Sequence, residues 1–147
     1  MARLRHVAIA LAFTSANALA CWEEAAVKYD INAYLLHAIA KTESGLNARA
    51  INRNRNGSYD IGLMQINSIW LPALRKFGID EQQLYDPCTS IQVGAWILAQ
   101  NMRRLGNSWN AVGAYNSGNR ELGLRYALKV YKNLPPAMLA GAYVEEN

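Results

Sequence analysis

Apolar positions recur along most of this chain at helical rather than strand spacing. In INAYLLHAIAKTESG, Leu36, Ile39, Ala40 and Glu43 fall at i, i+3, i+4 and i+7, which is one face of a helix. Asn32 stands where a cap is needed and Gly45 where a helix ends. That face therefore carries three apolar residues and, at its C-terminal turn, one carboxylate. DPCTSIQVGAWILAQNMRRLG predicts the longest helix. Asp86 caps it, Pro87 suits its first turn, Gly106 ends it, and Ile91, Ala95, Leu98, Met102 and Leu105 form its buried stripe. CWEEAAVKYD, IWLPALRKFG, SWNAVGAYNSG and RELGLRYALKVYKNL predict four more helices, the last stopped by Pro135-Pro136. The tail AMLAGAYVEEN predicts a loosely held end.

One stretch breaks the helical rhythm. NARAINRNRNGSYD has no such period, and its Asn56-Gly57 pair is a hairpin-turn dipeptide. A small β-hairpin or irregular loop is expected there, returning through YDIGLMQIN. Asp60 is the lone carboxylate in that return, beside an apolar and amide-rich segment.

The first residues are of another kind. MARLRH is basic, VAIALAF is a short apolar run, and NALA supplies small residues before Cys21. This is the layout of a secretory signal peptide, cut after residue 20. A lipoprotein signal fits less well, because the residue three before Cys21 is Ala18 rather than leucine. The apolar run is too short for a stable membrane anchor. The expected organisation is thus a signal peptide at 1–20, one domain at 21–134 and a tail at 135–147.

Charge and cysteine content narrow the function classes. The 147-residue chain carries a formal +4, and losing Arg3 and Arg5 with the leader leaves +2. Nucleic-acid binding calls for a concentrated basic stripe, which so mild a net charge does not predict. Arg49, Arg53 and Arg55 form a small cluster, either a solvated loop or a contact for an acidic ligand. His37 cannot complete a zinc site alone, so no metal is expected. Cys21 and Cys88, an even pair in an exported chain, are expected to form a disulfide.

A carboxylate on an apolar helix face resists ionisation. Burial disfavours its charged form, and so does the negative end of the helix dipole. Glu43 is therefore a candidate general acid. The competing reading is a glutamate that merely ends its helix in solvent.

The segments TESGLNARA, GLMQIN and GAYNSG, in this order, resemble the soluble lytic transglycosylases, a family of lysozyme-like domains. DIGLMQINSIWLPAL, DPC and GAWILAQN are similar to the small exported members that accompany type III and type IV secretion, conjugation and pilus systems. The resemblance implies a mainly α fold, an α+β lysozyme-like arrangement with the hairpin or loop beside an active-site cleft. It implies cleavage of the bond between N-acetylmuramic acid and N-acetylglucosamine in peptidoglycan, forming a 1,6-anhydro sugar without a cofactor. Glu43 then matches the catalytic acid/base and Ser44 a supporting neighbour. Gly62, Leu63, Met64 and Gln65 match a segment lining the sugar cleft, and Tyr115 and Asn116 match the Ala-Tyr-Asn motif, with a tyrosine hydroxyl placed to orient Glu43. The implied location is the periplasm. The implied partners are glycan strands and components of a secretion or pilus machine.

Asp60 departs from the wider family, which has a serine and small residues leading into Gly-Leu-Met-Gln. It follows Glu43 by seventeen positions, the spacing of the two catalytic carboxylates of lysozyme. Either it faces Glu43 across the cleft, stabilising positive charge or helping to activate water, or it bonds backbone amides and shapes the loop. Hence two rivals stand beside the transglycosylase: a hydrolytic muramidase or chitin-cleaving relative, and a non-catalytic peptidoglycan-binding component of a secretion apparatus.

Overall fold

The computed structural model describes residues 15–140. Seven helices and one small sheet follow in the order α1 (Ser15–Tyr29), α2 (Ala33–Ser44), β1 (Ile51–Arg53), β2 (Tyr59–Ile61), β3 (Ile66–Asn67), α3 (Leu71–Arg75), α4 (Pro87–Leu105), α5 (Trp109–Asn116), α6 (Arg120–Lys132) and α7 (Pro136–Ala140). This is the mainly α fold with a small antiparallel sheet that the sequence predicts. The basic and apolar stretches of the predicted leader lie largely outside the described residues. Helix α1 starts at Ser15 and runs through the predicted cut before Cys21. Among the described residues no helix is long and apolar enough to cross a membrane.

Local chemistry sets the helix ends. The Asn32 side chain accepts from Tyr34 N–H, and Gly45 closes α2 in the left-handed region at φ 62°. Asp86 accepts from Thr89 N–H at the start of α4, with Pro87 in the first turn. Ser108 and Asn119 cap α5 and α6 in the same way. Helix α4 is the spine: it packs against α1 on one side and α5 on the other, and α2 lies against α1 and α6. Ile91, Ala95 and Leu98 of its stripe are buried, and Met102 is half-buried. Leu105, placed on that stripe by its spacing, is instead 43% exposed. The last turn of α4 leaves the core before reaching it.

Helices α5 and α6 cross at their glycines. A Cβ on Gly113 would lie 2.6 Å from the backbone of Gly123, so the two backbones touch with nothing between them. Of the predicted tail, the described part begins with a short helix, α7, opened by Pro136, in which Met138 Sδ accepts from Asn32 Nδ2 at 3.9 Å. Proline at a first helical position needs no N–H, so Pro135-Pro136 ends one helix and starts another. Residues 141–147 lie outside the described residues.

The sheet has strand order β1-β2-β3, all antiparallel, with Asp60 opposite Asn52 on one side and Asn67 on the other. Asn54 N–H donates to Ser58 O at 2.8 Å, closing the β1–β2 turn around Asn56 and Gly57. Cys21 near the middle of α1 is joined to Cys88 at the start of α4, with Cα atoms 5.3 Å apart.

Candidate active site

A cleft of about 470 Å³ separates the helices from the sheet. Glu43 and Asp60 both line it, together with Gln65, Trp70, Tyr115 and Asn116. Glu43 is half-buried in the last turn of α2. Its Oε1 accepts from the hydroxyl of Tyr126 at 2.5 Å, a charge-assisted contact from a side chain on α6. Burial pushes the Glu43 pKa up to about 7, the negative charge of Asp60 adds to that, and the Tyr126 hydrogen bond pulls it back. Burial and the charge of Glu43 push Tyr126 and Tyr115 upward as well, and Asp60 adds to the effect on Tyr115, so both stay neutral hydroxyls.

Asp60 sits on β2 in a different setting. Oδ1 accepts from Asn67 Nδ2 at 2.7 Å and Oδ2 from Asn54 Nδ2 at 3.0 Å. Ser58 Oγ accepts from both of those amides, at 3.1 and 3.2 Å, and ties them together. These partners are side-chain amides on the neighbouring strands and the turn, not the backbone amides of its own loop. The carboxylate is thereby fixed on the sheet side of the cavity that Glu43 also lines.

The Gly62–Gln65 segment lies mostly beneath the cleft rather than along it. Leu63 is 6% and Met64 0% exposed, so neither offers a surface to a ligand. A Cβ on Gly62 would meet the Leu84 carbonyl oxygen at 2.2 Å, and φ is +74°, so this glycine answers to a backbone neighbour inside the protein. Three elements pin the segment. Ser44 Oγ on α2 donates to Leu63 O at 2.7 Å, Ser90 Oγ on α4 accepts from Met64 N–H at 3.0 Å, and Tyr115 on α5 donates to Met64 O at 2.9 Å. Gln65 alone of the four reaches the cleft. It does so at φ 50°, an uncommon conformation for a residue with a side chain, and its Nε2 is turned back onto Gly62 O at 2.9 Å. Asn116, the last residue of α5, is exposed at the cleft edge.

The structure thus brings Glu43, Asp60, Gln65, Tyr115 and Asn116 to one cavity, and leaves Ser44, Gly62, Leu63 and Met64 as its support. The hydroxyl on Glu43 belongs to Tyr126, whereas Tyr115 bonds the Met64 carbonyl. The sequence reading overlooked Tyr126. Its signal was available: Gly123, Tyr126, Ala127 and Val130 make the buried stripe of α6, and a tyrosine on such a stripe needs a partner for its hydroxyl. Asn54, Asn67 and Trp70 were overlooked as well. His37 is half-buried, with its ring 5.4 Å from that of Trp22.

The model of the Transglycosylase SLT domain family matches residues 20–133. The chain belongs to this family of transglycosylase domains. It is 48% identical over 118 residues to Invasion protein IagB of Salmonella typhimurium, covering 77% of this chain and 74% of the relative. It is 43% identical over 117 residues to Protein IpgF of Shigella flexneri, covering 76% and 77%. A Peptidoglycan-binding-like protein of Escherichia coli O157:H7 is 41% identical over 124 residues, covering 76% and 74%. Among solved structures, the lytic transglycosylase Slt of Pseudomonas aeruginosa, an inactive glutamate-to-glutamine mutant, superposes with a TM-score of 0.60 at 26% identity. The match spans 80% of this chain and 21% of that much longer one.

Proposed function

We propose that this protein is a peptidoglycan lytic transglycosylase, with Glu43 as its one acid and base. The observation that carries the reading is Glu43 itself: half-buried, gripped by Tyr126 at 2.5 Å, and held with a pKa of about 7 in a cleft of about 470 Å³. A carboxyl of that pKa is abundant in both protonation states near neutrality, which suits a group that must first give a proton and then take one. The Slt structure is an inactive mutant with one glutamate changed to glutamine, so a glutamate is essential in that relative.

Glu43 protonates the glycosidic oxygen, and the bond from that oxygen to the anomeric carbon of N-acetylmuramic acid breaks. The N-acetyl carbonyl oxygen of the same sugar bonds to the anomeric carbon and spreads the positive charge. Glu43, now ionised, takes the proton of the carbon-6 hydroxyl. Oxygen 6 attacks the anomeric carbon, displaces the acetamido oxygen and closes the 1,6-anhydro ring, and Glu43 ends protonated as it began. The nucleophile is tethered to the reacting sugar, so its effective molarity is high. Tyr126 steadies the carboxylate between the two steps. Asp60, across the cleft, stabilises the cationic transition state. Gln65, Tyr115 and Asn116 position the glycan.

A second reading rests on Asp60. A carboxylate anchored opposite the acid is also placed to direct water at the anomeric carbon, which gives a muramidase. Digestion of purified peptidoglycan by the mature chain, read by mass spectrometry, separates the two. Anhydro-muramic ends are expected, with a minority of reducing ends. Reducing ends alone would make the protein a muramidase, and no cleavage would leave a peptidoglycan-binding role. The relative named Invasion protein IagB supports a setting in which the enzyme, exported to the periplasm, opens the wall locally for a secretion or pilus machine.

A further inference from the structure

The back of the α5–α6 pair carries a second feature that the cleft chemistry does not use. Leu105, Trp109, Leu124 and Leu128 are 43%, 41%, 41% and 54% exposed. They are not scattered. A cavity of about 250 Å³, in which Leu105, Ala114 and Leu124 share the lining with Asn110, Ser117 and Arg120, adjoins one of about 310 Å³ lined by Trp109, Leu124, Leu128 and Tyr131. Leu124 is common to both, so together they form one apolar groove between the helices. Trp109 and Tyr131 stand edge to face at 5.5 Å on its wall. Gly123, whose backbone touches that of Gly113, lines the first of the two cavities.

Positive charge gathers beside it: Arg120 shares the lining of the first cavity, and Arg125 and Lys129 line a neighbouring one with Leu122 and Tyr126. Leu124, Leu128 and Tyr131 fall at i, i+4 and i+7 of α6, and Arg125, Lys129 and Lys132 repeat the same spacing on the adjoining strip. Arg103 and Arg104 stand at the end of α4 beside Leu105, and Arg120 opens α6. Residues 101–134 hold these six cations against Glu121 alone, hence +5, while the whole chain carries +4. The one acid lies 3.8 Å from Arg125 in an exposed pair, too weak to neutralise the strip.

We propose that this groove docks an amphipathic helix of a protein partner, with an apolar ridge flanked by Asp and Glu. The apolar floor takes the ridge, and the cationic strip takes the acids. A second copy of this chain is disfavoured because +5 would face +5. A bilayer is disfavoured because the apolar residues line a concavity. Leu124 and Leu128 each lie two residues from Tyr126, roughly 200° around the helix, so an occupant would sit on the far side of α6 from Glu43. The proposal stands whether or not the cleft cuts peptidoglycan.

The test uses the full mature chain and three probes: a helical peptide with a leucine ridge flanked by glutamates, the same ridge flanked by lysines, and phosphatidylglycerol-containing vesicles. The glutamate peptide is expected to bind about tenfold or more tighter than the lysine peptide, a difference of about 1.4 kcal/mol, and to weaken with salt. Leu124→Asp with Leu128→Asp should abolish that binding and leave peptidoglycan digestion unchanged. Arg125→Glu with Lys129→Glu and Lys132→Glu should reverse the peptide preference, which keeps the proposal testable if the leucine variant misfolds. Equal affinity for the two peptides, no affinity for either, tighter binding to vesicles, or self-association lost in the leucine variant would overturn it.

Discussion

The two walls of the cleft hold the same functional group in opposite ways. On the helical wall Glu43 is half-buried, faces a hydroxyl from another helix, and is pushed up to a pKa of about 7. On the sheet wall each oxygen of Asp60 accepts from an asparagine amide, and a serine hydroxyl ties those amides together. One wall gives up hydration to make an acid. The other supplies donors to hold an acceptor. Two carboxyls that differ in this way would, under the proposed function, divide the labour of glycosidic cleavage.

The contrast can be broken from either side. Glu43→Gln keeps the shape of the helical wall and cannot exchange a proton, so cleavage of peptidoglycan should fall by about 100- to 10,000-fold. Turnover within threefold of wild type would remove Glu43 from its role. Asp60→Asn keeps the size of the sheet-wall residue and removes its charge. The variant should stay folded and lose about tenfold in rate, near 1.4 kcal/mol, and reducing ends should decline relative to anhydro ends. An unchanged rate would make Asp60 a residue that only shapes the turn.

Tyr126→Phe sharpens the comparison more gently. A loss of about threefold is expected, together with a diagnostic shift. The hydroxyl favours ionised Glu43, so its removal should carry the alkaline limb of the pH–rate profile above its wild-type position near 7. A rate loss with an unmoved limb would leave Tyr126 as packing alone. The smallest effect is on stability. Glu43 is raised from 4.5 to about 7 on folding, so its ionised form costs stability above pH 7 and its protonated form costs nothing below 4.5. Glu43→Gln should therefore melt higher than wild type at pH 8, and the gap should close as pH falls from 7 to 4.5. A gap independent of pH would contradict the raised value.

What the sequence disclosed follows from range. The ends of α2 and α4 are written by residues within three or four positions of one another, Asn32 with Tyr34 and Asp86 with Thr89, and both were legible. Glu43 was legible because a carboxylate on an apolar stripe breaks a local pattern. The Tyr126 contact was not, because the hydroxyl and its acceptor are 83 positions apart and only the packing of α6 on α2 joins them. The Leu63–Met64 pair reads as cleft lining on a motif, but the burial of both is decided by α4 and α5, which arrive later in the chain. Leu105 shows the converse: its spacing is correct, and the core ends before it.

The disulfide also partitions the cleft. Cys21 and Cys88, 67 positions apart, close a covalent ring that contains Glu43, Asp60 and Gln65. Tyr115, Asn116 and Tyr126 lie outside it. Closing such a ring removes about 4 kcal/mol of disorder from the unfolded chain, and that restraint reaches both carboxylates but not the tyrosines. Helix α6 is fastened to α2 by packing and by two side-chain latches, Tyr126 on Glu43 at 2.5 Å and Asn133 on Thr42 at 2.9 Å. Its amides are therefore the ones to watch for hydrogen exchange through sub-global opening, ahead of those within the ring. Each such opening would strip the glutamate of its hydroxyl while the ring stays folded, so the lifetime of the docked helix sets how long the site stays complete.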